Sequence, residues 1–201
     1  MGLREVSAIL WRERHLLELL LFKLDEEELV LAAGRTRWLP QATHEVEMVL
    51  EEIRQTELER AVEVSRMAVD LGLPAGAGLR QLAESAPEPW QGMLTEHRQA
   101  FLALTDEITT LVQTNRELLD RGRRAVGDMT STDPGPLDGG ALRKQNALAT
   151  VGSRYHRIEI MQDRKAANQF DSETQLLEVA YHAALGATAK VIRPSLVDFL
   201  R

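Results

Sequence analysis

One stretch of this chain repeats core-type positions at steps of three and four residues without a break. These steps return a side chain to the same helix face over about four heptads, so the repeat predicts one long helix with a coiled-coil-like seam. Aromatic residues make up only 4% of the 201 residues and Cys is absent, which predicts an aliphatic core without disulfides. The seam positions are Trp90, Leu94, His97, Phe101, Leu104, Ile108, Leu111, Asn115, Leu118 and Gly122.

Two further helices are predicted before this one from the same spacing. The first runs over residues 3–33, with Glu13 and Glu27 at heptad positions where apolar residues are expected. The second is capped by Thr36 and ends at Gly72. Strands have little support in the composition. The sequence therefore predicts an all-α fold, an elongated antiparallel helical bundle with coiled-coil-like packing.

A segment rich in Gly and Pro, residues 127–140, follows the helices. Its fourteen residues include four Gly and two Pro and show no helical apolar period, a composition typical of a flexible linker. Residues 1–126 carry 15 Lys and Arg against 22 Asp and Glu, whereas residues 141–201 carry 9 against 6. The chain is thus predicted to hold an acidic helical domain, a linker and a basic helical segment, and the opposite charges favour their association.

The basic segment ends in a helix with a narrow apolar face, followed by an apolar tail. Residues 172–175 match a capping box that starts the helix, and Pro194 is expected to end or kink it. An exposed face of this kind promotes aggregation, so we expect another helix to cover it. The residues predicted to make that contact are Leu177, Tyr181, Leu185, Val191, Ile192, Leu196, Phe199 and Leu200.

Motifs of catalysis and metal binding find no support in the sequence. None of the five His residues has a Glu three residues before it, so the di-iron bundle motif is missing, and HExxH does not occur. We therefore expect no catalytic residue, no metal site and no cofactor. His97 is the best candidate for enzyme-like chemistry, as a phosphotransfer histidine, but its place in the apolar seam favours a core side chain.

The charge and the apolar runs limit the partners of the chain. A net charge of −7 argues against nucleic acid, since phosphate binding needs a concentrated basic face. The longest apolar run, residues 16–24, contains Glu18 and Lys23 and is far shorter than the ~20 residues that span a membrane. Nothing resembles a signal peptide. We expect a cytoplasmic protein without membrane insertion.

Two blocks of sequence carry a resemblance to proteins of flagellar assembly. Residues 1–126, with LWRERHLLELLLFKLDEEELVLAAGRTRWL near the start and NRELLDRG near the end, resemble a flagellar export chaperone of the FlgN type. Residues 147–201, with ATVGSRYHRIEIMQDR and the ending AYHAALGATAKVIRPSLVDFLR, resemble the C-terminal helices of a hook-filament junction protein of the FlgL type. In the junction family this region is what the chaperone recognises.

The resemblance implies a flagellar type III secretion chaperone fused to a fragment of its own substrate. The chaperone domain, residues 1–126, would hold residues 141–201 in cis and prevent premature assembly before the junction protein is exported to its extracellular place in the flagellum. The export gate is a second implied partner. The chaperone residues expected to contact the cargo lie on the seam: Leu94, Phe101, Leu104, Ile108, Leu111 and Leu118.

Other arrangements and functions are consistent with the same sequence. The cargo segment can bind its own chain or a neighbouring one, in an exchanged dimer. The alternative function is a natural helical adaptor whose own C-terminus folds back as a bundle helix, or a signalling bundle resembling His-phosphotransfer proteins.

Overall fold

The computed structural model describes residues 2–131, 172–191 and 194–201, and every regular element within these ranges is a helix. The all-α class predicted from the sequence is confirmed. In chain order the helices are α1 (Gly2–Ala32), a short 3-10 turn (Thr36–Trp38), α2 (Leu39–Asp70), α3 (Leu79–Ser85), α4 (Trp90–Ser131), α5 (residues 172–188) and α6 (Pro194–Leu200).

The helices α1 and α2 form an antiparallel pair joined by a tight connection. Gly34 has a φ of 62°, a left-handed conformation that lets the chain leave α1. Pro40 lies in the first turn of α2, where its missing N–H removes no helical hydrogen bond. Gly72, with a φ of 72°, follows the end of α2. Both glycines therefore stand where the sequence predicts helix stops.

The core is aliphatic, as the composition predicts. Large side chains of four helices are fully buried in it, and burying each Leu stabilises the fold by about 1.5–3 kcal/mol. Two seam positions of α4 are polar and buried: His97 is 2% exposed and Asn115 is 0% exposed. The fully buried Leu and Phe side chains that build this core include Leu10, Leu20 and Leu24 of α1, Leu39 of α2, Leu79 and Leu82 of α3, and Leu94 and Phe101 of α4.

The chain divides into two compact units, one of residues 1–119 and 183–201 and one of residues 120–182. The helix α4 continues to Ser131, so the first part of the predicted linker is helical. Residues 132–140, with the rest of that linker, lie outside the described residues, as does the block at residues 147–171. No helix in the described ranges is long and apolar enough to span a bilayer.

Candidate partner-binding site

The C-terminal segment, residues 183–201, packs against the helices of the first compact unit. It fills a groove formed by α1, α2 and the first part of α4, where a small apolar cavity of about 30 Å³ remains. The cavity is lined by Leu17, Leu20, Leu50, Ile53, Glu57, Thr105, Ile108 and Thr109 from the three helices, and by Val191, Leu196 and Val197 from the segment.

Apolar side chains of the segment are buried against the helical domain. Val191 and Leu196 are each 7% exposed and Leu200 is 3% exposed, and all three belong to the same hydrophobic cluster as the core of the helical domain. Phe199 is half-buried and packs against that cluster. Side chains of this size are expected to dominate the docking energy, since each buried Leu is worth a few kcal/mol.

Hydrogen bonds fix the orientation of α6 in the groove. Arg98 of α4 donates from Nε to the carbonyl oxygen of Leu200 over 2.8 Å. Ser195 Oγ donates to Glu57 Oε1 of α2, also over 2.8 Å. Both bonds involve a charged partner, which makes them stronger than neutral ones. The α6 helix is therefore held at both ends by α2 and α4.

Gly78, in the connection before α3, allows the end of the chain to approach closely. A Cβ at this position would lie 3.1 Å from the carbonyl oxygen of Phe199 and 3.1 Å from the carbonyl carbon of Arg201. Backbone atoms move less readily than the tip of a side chain, so a residue with a Cβ is expected to push the end of α6 outward.

A buried ion pair lies beside the docked segment. Arg60 of α2 donates from Nη1 to Glu13 of α1, and their side chains are 5% and 0% exposed. Burial raises the pKa of Glu13, and the opposing effect of the Arg60 guanidinium is smaller. The Arg60 guanidinium also lies over the ring of Phe199, 4.3 Å from the ring centroid. The pair therefore contacts both the helical domain and the docked segment.

A second buried polar cluster joins α1, α2 and α4. Thr43 Oγ1 donates to Glu27 Oε1 over 3.0 Å, and Asn115 Nδ2 donates to Glu27 Oε2 over 3.2 Å and to the carbonyl oxygen of Leu24 over 2.9 Å. Burial raises the pKa of Glu27, although the two donors favour its charged form. Such a cluster fixes the register of the three helices, because a shift along any axis would break its bonds.

His97 has the environment of a core residue. Its ring meets Trp11 edge-on at 4.8 Å between centroids and stacks on Phe101 at 6.3 Å. Burial lowers the pKa of His97, and the nearby charge of Arg14 adds to this effect. A phosphotransfer histidine must present a ring nitrogen to its phosphodonor, whereas this ring is closed off. Within the described residues, no group of three His, Asp or Glu side chains is placed to hold a metal ion.

In the described part of the second compact unit, the predicted cargo helix approaches α4 closely at Tyr181. Tyr181 is 6% exposed, and its ring lies where a Cβ on Gly122 would stand. Burial raises the pKa of the Tyr181 hydroxyl. Leu177 of the same unit is half-buried, and so is Leu185, which belongs to the first unit.

The structure distributes the predicted contact residues of α4 between core and groove. Ile108 lines the cavity beside the C-terminal segment. Leu94 and Phe101 are fully buried in the core, Leu111 is 9% exposed there, and Leu104 and Leu118 are half-buried. On the segment side, Val191, Leu196, Phe199 and Leu200 lie in the groove, and Ile192 lies outside the described residues.

Several groove residues were not anticipated from the sequence. The apolar spacing alone does not assign Leu17, Leu20, Leu50 and Ile53 to a groove, and it gives no indication of the polar contacts of Glu57, Arg60 and Arg98. A signal existed for Arg60 and Glu57, because both interrupt the apolar heptad positions of α2 between Ile53 and Val64. Charged residues at core positions often mark a buried pair.

The packing of an apolar helix into a groove between other helices has the geometry of helix-in-groove recognition. Residues 1–131 match the model of the FlgN protein family, which covers more than half of the chain, and the chain belongs to this family. The FlgN-type half of the resemblance is thereby confirmed. Membership indicates a flagellar export chaperone that binds a flagellar substrate protein. No curated protein and no solved structure matches the chain.

Proposed function

We propose that this chain is a flagellar type III secretion chaperone that holds, in cis, the C-terminal helices of a hook-filament junction protein of the FlgL type. One observation carries the proposal. The segment of residues 183–201 lies outside the family match over residues 1–131, yet it belongs to the same compact unit as residues 1–119. A groove of the chaperone domain is therefore occupied by a helix that lies outside the family match.

The contacts explain how such a chaperone would work. Apolar side chains of the segment, led by Leu196 and Leu200, are removed from water in the groove, so they are not available for assembly with other copies. Charge assists the contact, since Lys190 of the segment pairs with Glu47 of α2 over 3.3 Å at the surface. The complex would form in the cytoplasm and release its cargo at the export gate.

A natural helical adaptor is the alternative function, and one observation favours it. Val191, Leu196 and Leu200 belong to the same hydrophobic cluster as α1 to α4, as they would in a bundle whose own last helix completes the core. The two functions differ in what happens when α6 leaves the groove. A chaperone keeps a folded groove that accepts a substrate helix, whereas an adaptor loses part of its own core.

Capture of a junction protein in trans tests the proposal. The variant Leu196→Asp/Leu200→Asp places two charges in the apolar groove and should undock α6. We expect this variant to bind the C-terminal helices of a FlgL-type junction protein in a pull-down, while the unmodified chain binds them weakly because its groove is filled. The matched control is Val179→Asp, on a side chain that is 66% exposed, and it should behave as the unmodified chain does.

The opposite result supports the adaptor. If the double variant keeps its helical circular dichroism but captures no junction protein, the groove is not a substrate site. If it loses its helical structure altogether, α6 is part of the core of one natural domain.

A further inference from the structure

The contact between Arg60 and Phe199 differs in kind from the other contacts of α6. Leu196 and Leu200 are held by aliphatic neighbours, and Arg98 binds a backbone carbonyl that any sequence would offer. Arg60, by contrast, places its guanidinium 4.3 Å from the centroid of the Phe199 ring. A planar cation over an aromatic face is attracted by the ring quadrupole, which an aliphatic side chain lacks.

Burial makes this attraction strong enough to discriminate between side chains. The side chain of Arg60 is 5% exposed, and its partner Glu13 is 0% exposed. An Arg that served Glu13 alone would be replaceable by an apolar pair at little cost, so the ion pair by itself does not account for a buried cation beside Phe199. The ring of Phe199 lies against that cation, and an aliphatic residue in its place would fill the space without the electrostatic gain.

We infer that Arg60 is a specificity-determining residue of the groove, which selects helices that carry an aromatic side chain at the position of Phe199. The ligand class is an amphipathic helix with the pattern Ser-Leu-x-x-Phe-Leu, in which the Ser hydroxyl meets Glu57 and the two Leu side chains enter the apolar groove. The inference rests on the proposed function only for the statement that such helices are the substrate of the protein.

Fluorination of Phe199 separates the quadrupole from the size of the ring. Phenylalanine with one, two or three ring fluorines has a progressively weaker negative face but a slightly more apolar surface. Each analogue is placed at position 199 of the full chain by codon suppression. The chain contains no Cys, so Val197→Cys, a change of similar volume at a position that lines the cavity under α6, provides a single thiol whose modification rate by a disulfide reagent reports the undocking of α6.

We expect the thiol to react faster with each added fluorine, by a total of roughly 3- to 20-fold from phenylalanine to the trifluoro analogue. In the background Glu13→Gln/Arg60→Met, which removes the cation without leaving a buried carboxylate unpaired, the same series should be flat or slightly falling. A rise that is equal in both backgrounds, or the absence of a rise with Arg60 present, overturns the inference. If the double variant fails to fold, the fluorine series in the chain with Arg60 is decisive by itself. Fluorination also makes the ring more apolar, and that effect alone would slow the thiol reaction instead of accelerating it.

Natural side chains give a second comparison with the same probe. With Arg60 present, we expect Phe199→Trp to keep α6 docked and Phe199→Leu to undock it several-fold more often. In the Glu13→Gln/Arg60→Met background, the docking of the Trp and Leu variants should differ less. The remaining difference should reflect only the apolar area of each side chain.

The outcome is distinguishable from a failure of the proposed function. A fluorine-dependent rise without capture of a junction protein shows that Arg60 selects only the chain's own tail, so the inference stands and the proposed function fails. If the junction protein is captured but fluorination has no effect, the proposed function stands and the inference about Arg60 fails.

Discussion

The ring of Tyr181 occupies the space that a side chain on Gly122 would need. A Cβ on Gly122 would overlap Cζ of that ring and its hydroxyl oxygen. Glycine within a helix lowers stability by about 0.5–1 kcal/mol relative to alanine. The contact with Tyr181 explains why α4 has glycine at position 122. Small residues permit the close approach of two helices, and in this case the larger partner is an aromatic ring.

The first prediction concerns this contact. Gly122→Ala should lower the free energy of unfolding by about 1–2 kcal/mol, because the displaced Tyr181 ring costs more than the gain in helix propensity. Gly92 is the matched control in α4, since a Cβ there meets nothing within 4 Å. Gly92→Ala should raise stability by about 0.5–1 kcal/mol. Urea unfolding of the two variants measures both, and a stabilised Gly122→Ala would show that the ring moves aside freely.

The second prediction ranks the forces that hold the C-terminal segment. Leu200→Ala removes a side chain that is 3% exposed and should weaken docking by about 2–4 kcal/mol. Lys190→Ala removes an ion pair whose side chains are 63% and 44% exposed and should cost no more than about 0.5 kcal/mol. Hydrogen exchange of the α6 amides measures docking directly. Equal losses of protection, or undocking by moderate salt alone, would contradict the dominance of apolar burial.

The helices of this chain were predictable because their apolar spacing is regular and their stops have a simple cause. The left-handed φ angles of Gly34 and Gly72 are what glycine alone adopts easily. The same spacing marked Glu13 and Glu27 as occupants of core positions, and both are fully buried. The heptad spacing therefore identifies buried carboxyl groups as well as buried apolar side chains.

The partners of those positions could not be predicted. A heptad pattern marks a face of one helix but does not identify the helix that covers it, so the pairing of Glu13 with Arg60, 47 positions further along the chain, stayed hidden. For the same reason the groove could not be located. Of the six residues predicted on α4, Ile108 lines the cavity while Leu94 and Phe101 serve the core.

The third prediction concerns pH and His97. Its pKa is lowered in the folded protein, so below about pH 6.5 the unfolded chain binds a proton that the folded chain does not. This group therefore makes the free energy of unfolding fall as the pH drops through that value. His97→Phe should show a smaller loss of stability between about pH 7.5 and about pH 5.5 than the unmodified chain.

Urea titrations across this pH range measure the difference. His15→Gln, at an exposed position, controls for the removal of an imidazole. An unchanged pH profile in His97→Phe would mean that the buried ring accepts a proton without penalty.

The fourth prediction concerns the polar cluster of Glu27 and Asn115. The hydrogen bond from Asn115 lowers the pKa of Glu27 against the larger effect of burial. Loss of this hydrogen bond should therefore lower the free energy of unfolding most when the Glu27 carboxylate is charged. Asn115→Ala should cost about 2–3 kcal/mol near neutral pH, and less as the pH falls and Glu27 becomes protonated.

The background Glu27→Gln provides the control for this effect. There the cost of Asn115→Ala should be independent of pH, because the amide has no proton to gain. A cost with the same pH dependence in both backgrounds would assign that dependence to another group.

Cleavage between the two modules tests the central claim most directly. A protease site is placed within residues 134–138, the chain is cut to completion, and the fragments are passed over a size-exclusion column at low micromolar concentration. We expect the C-terminal fragment to elute together with the N-terminal fragment, and to separate from it when Leu196→Asp/Leu200→Asp is present. Separation of the unmodified fragments while the α1 to α4 domain stays folded would contradict the account.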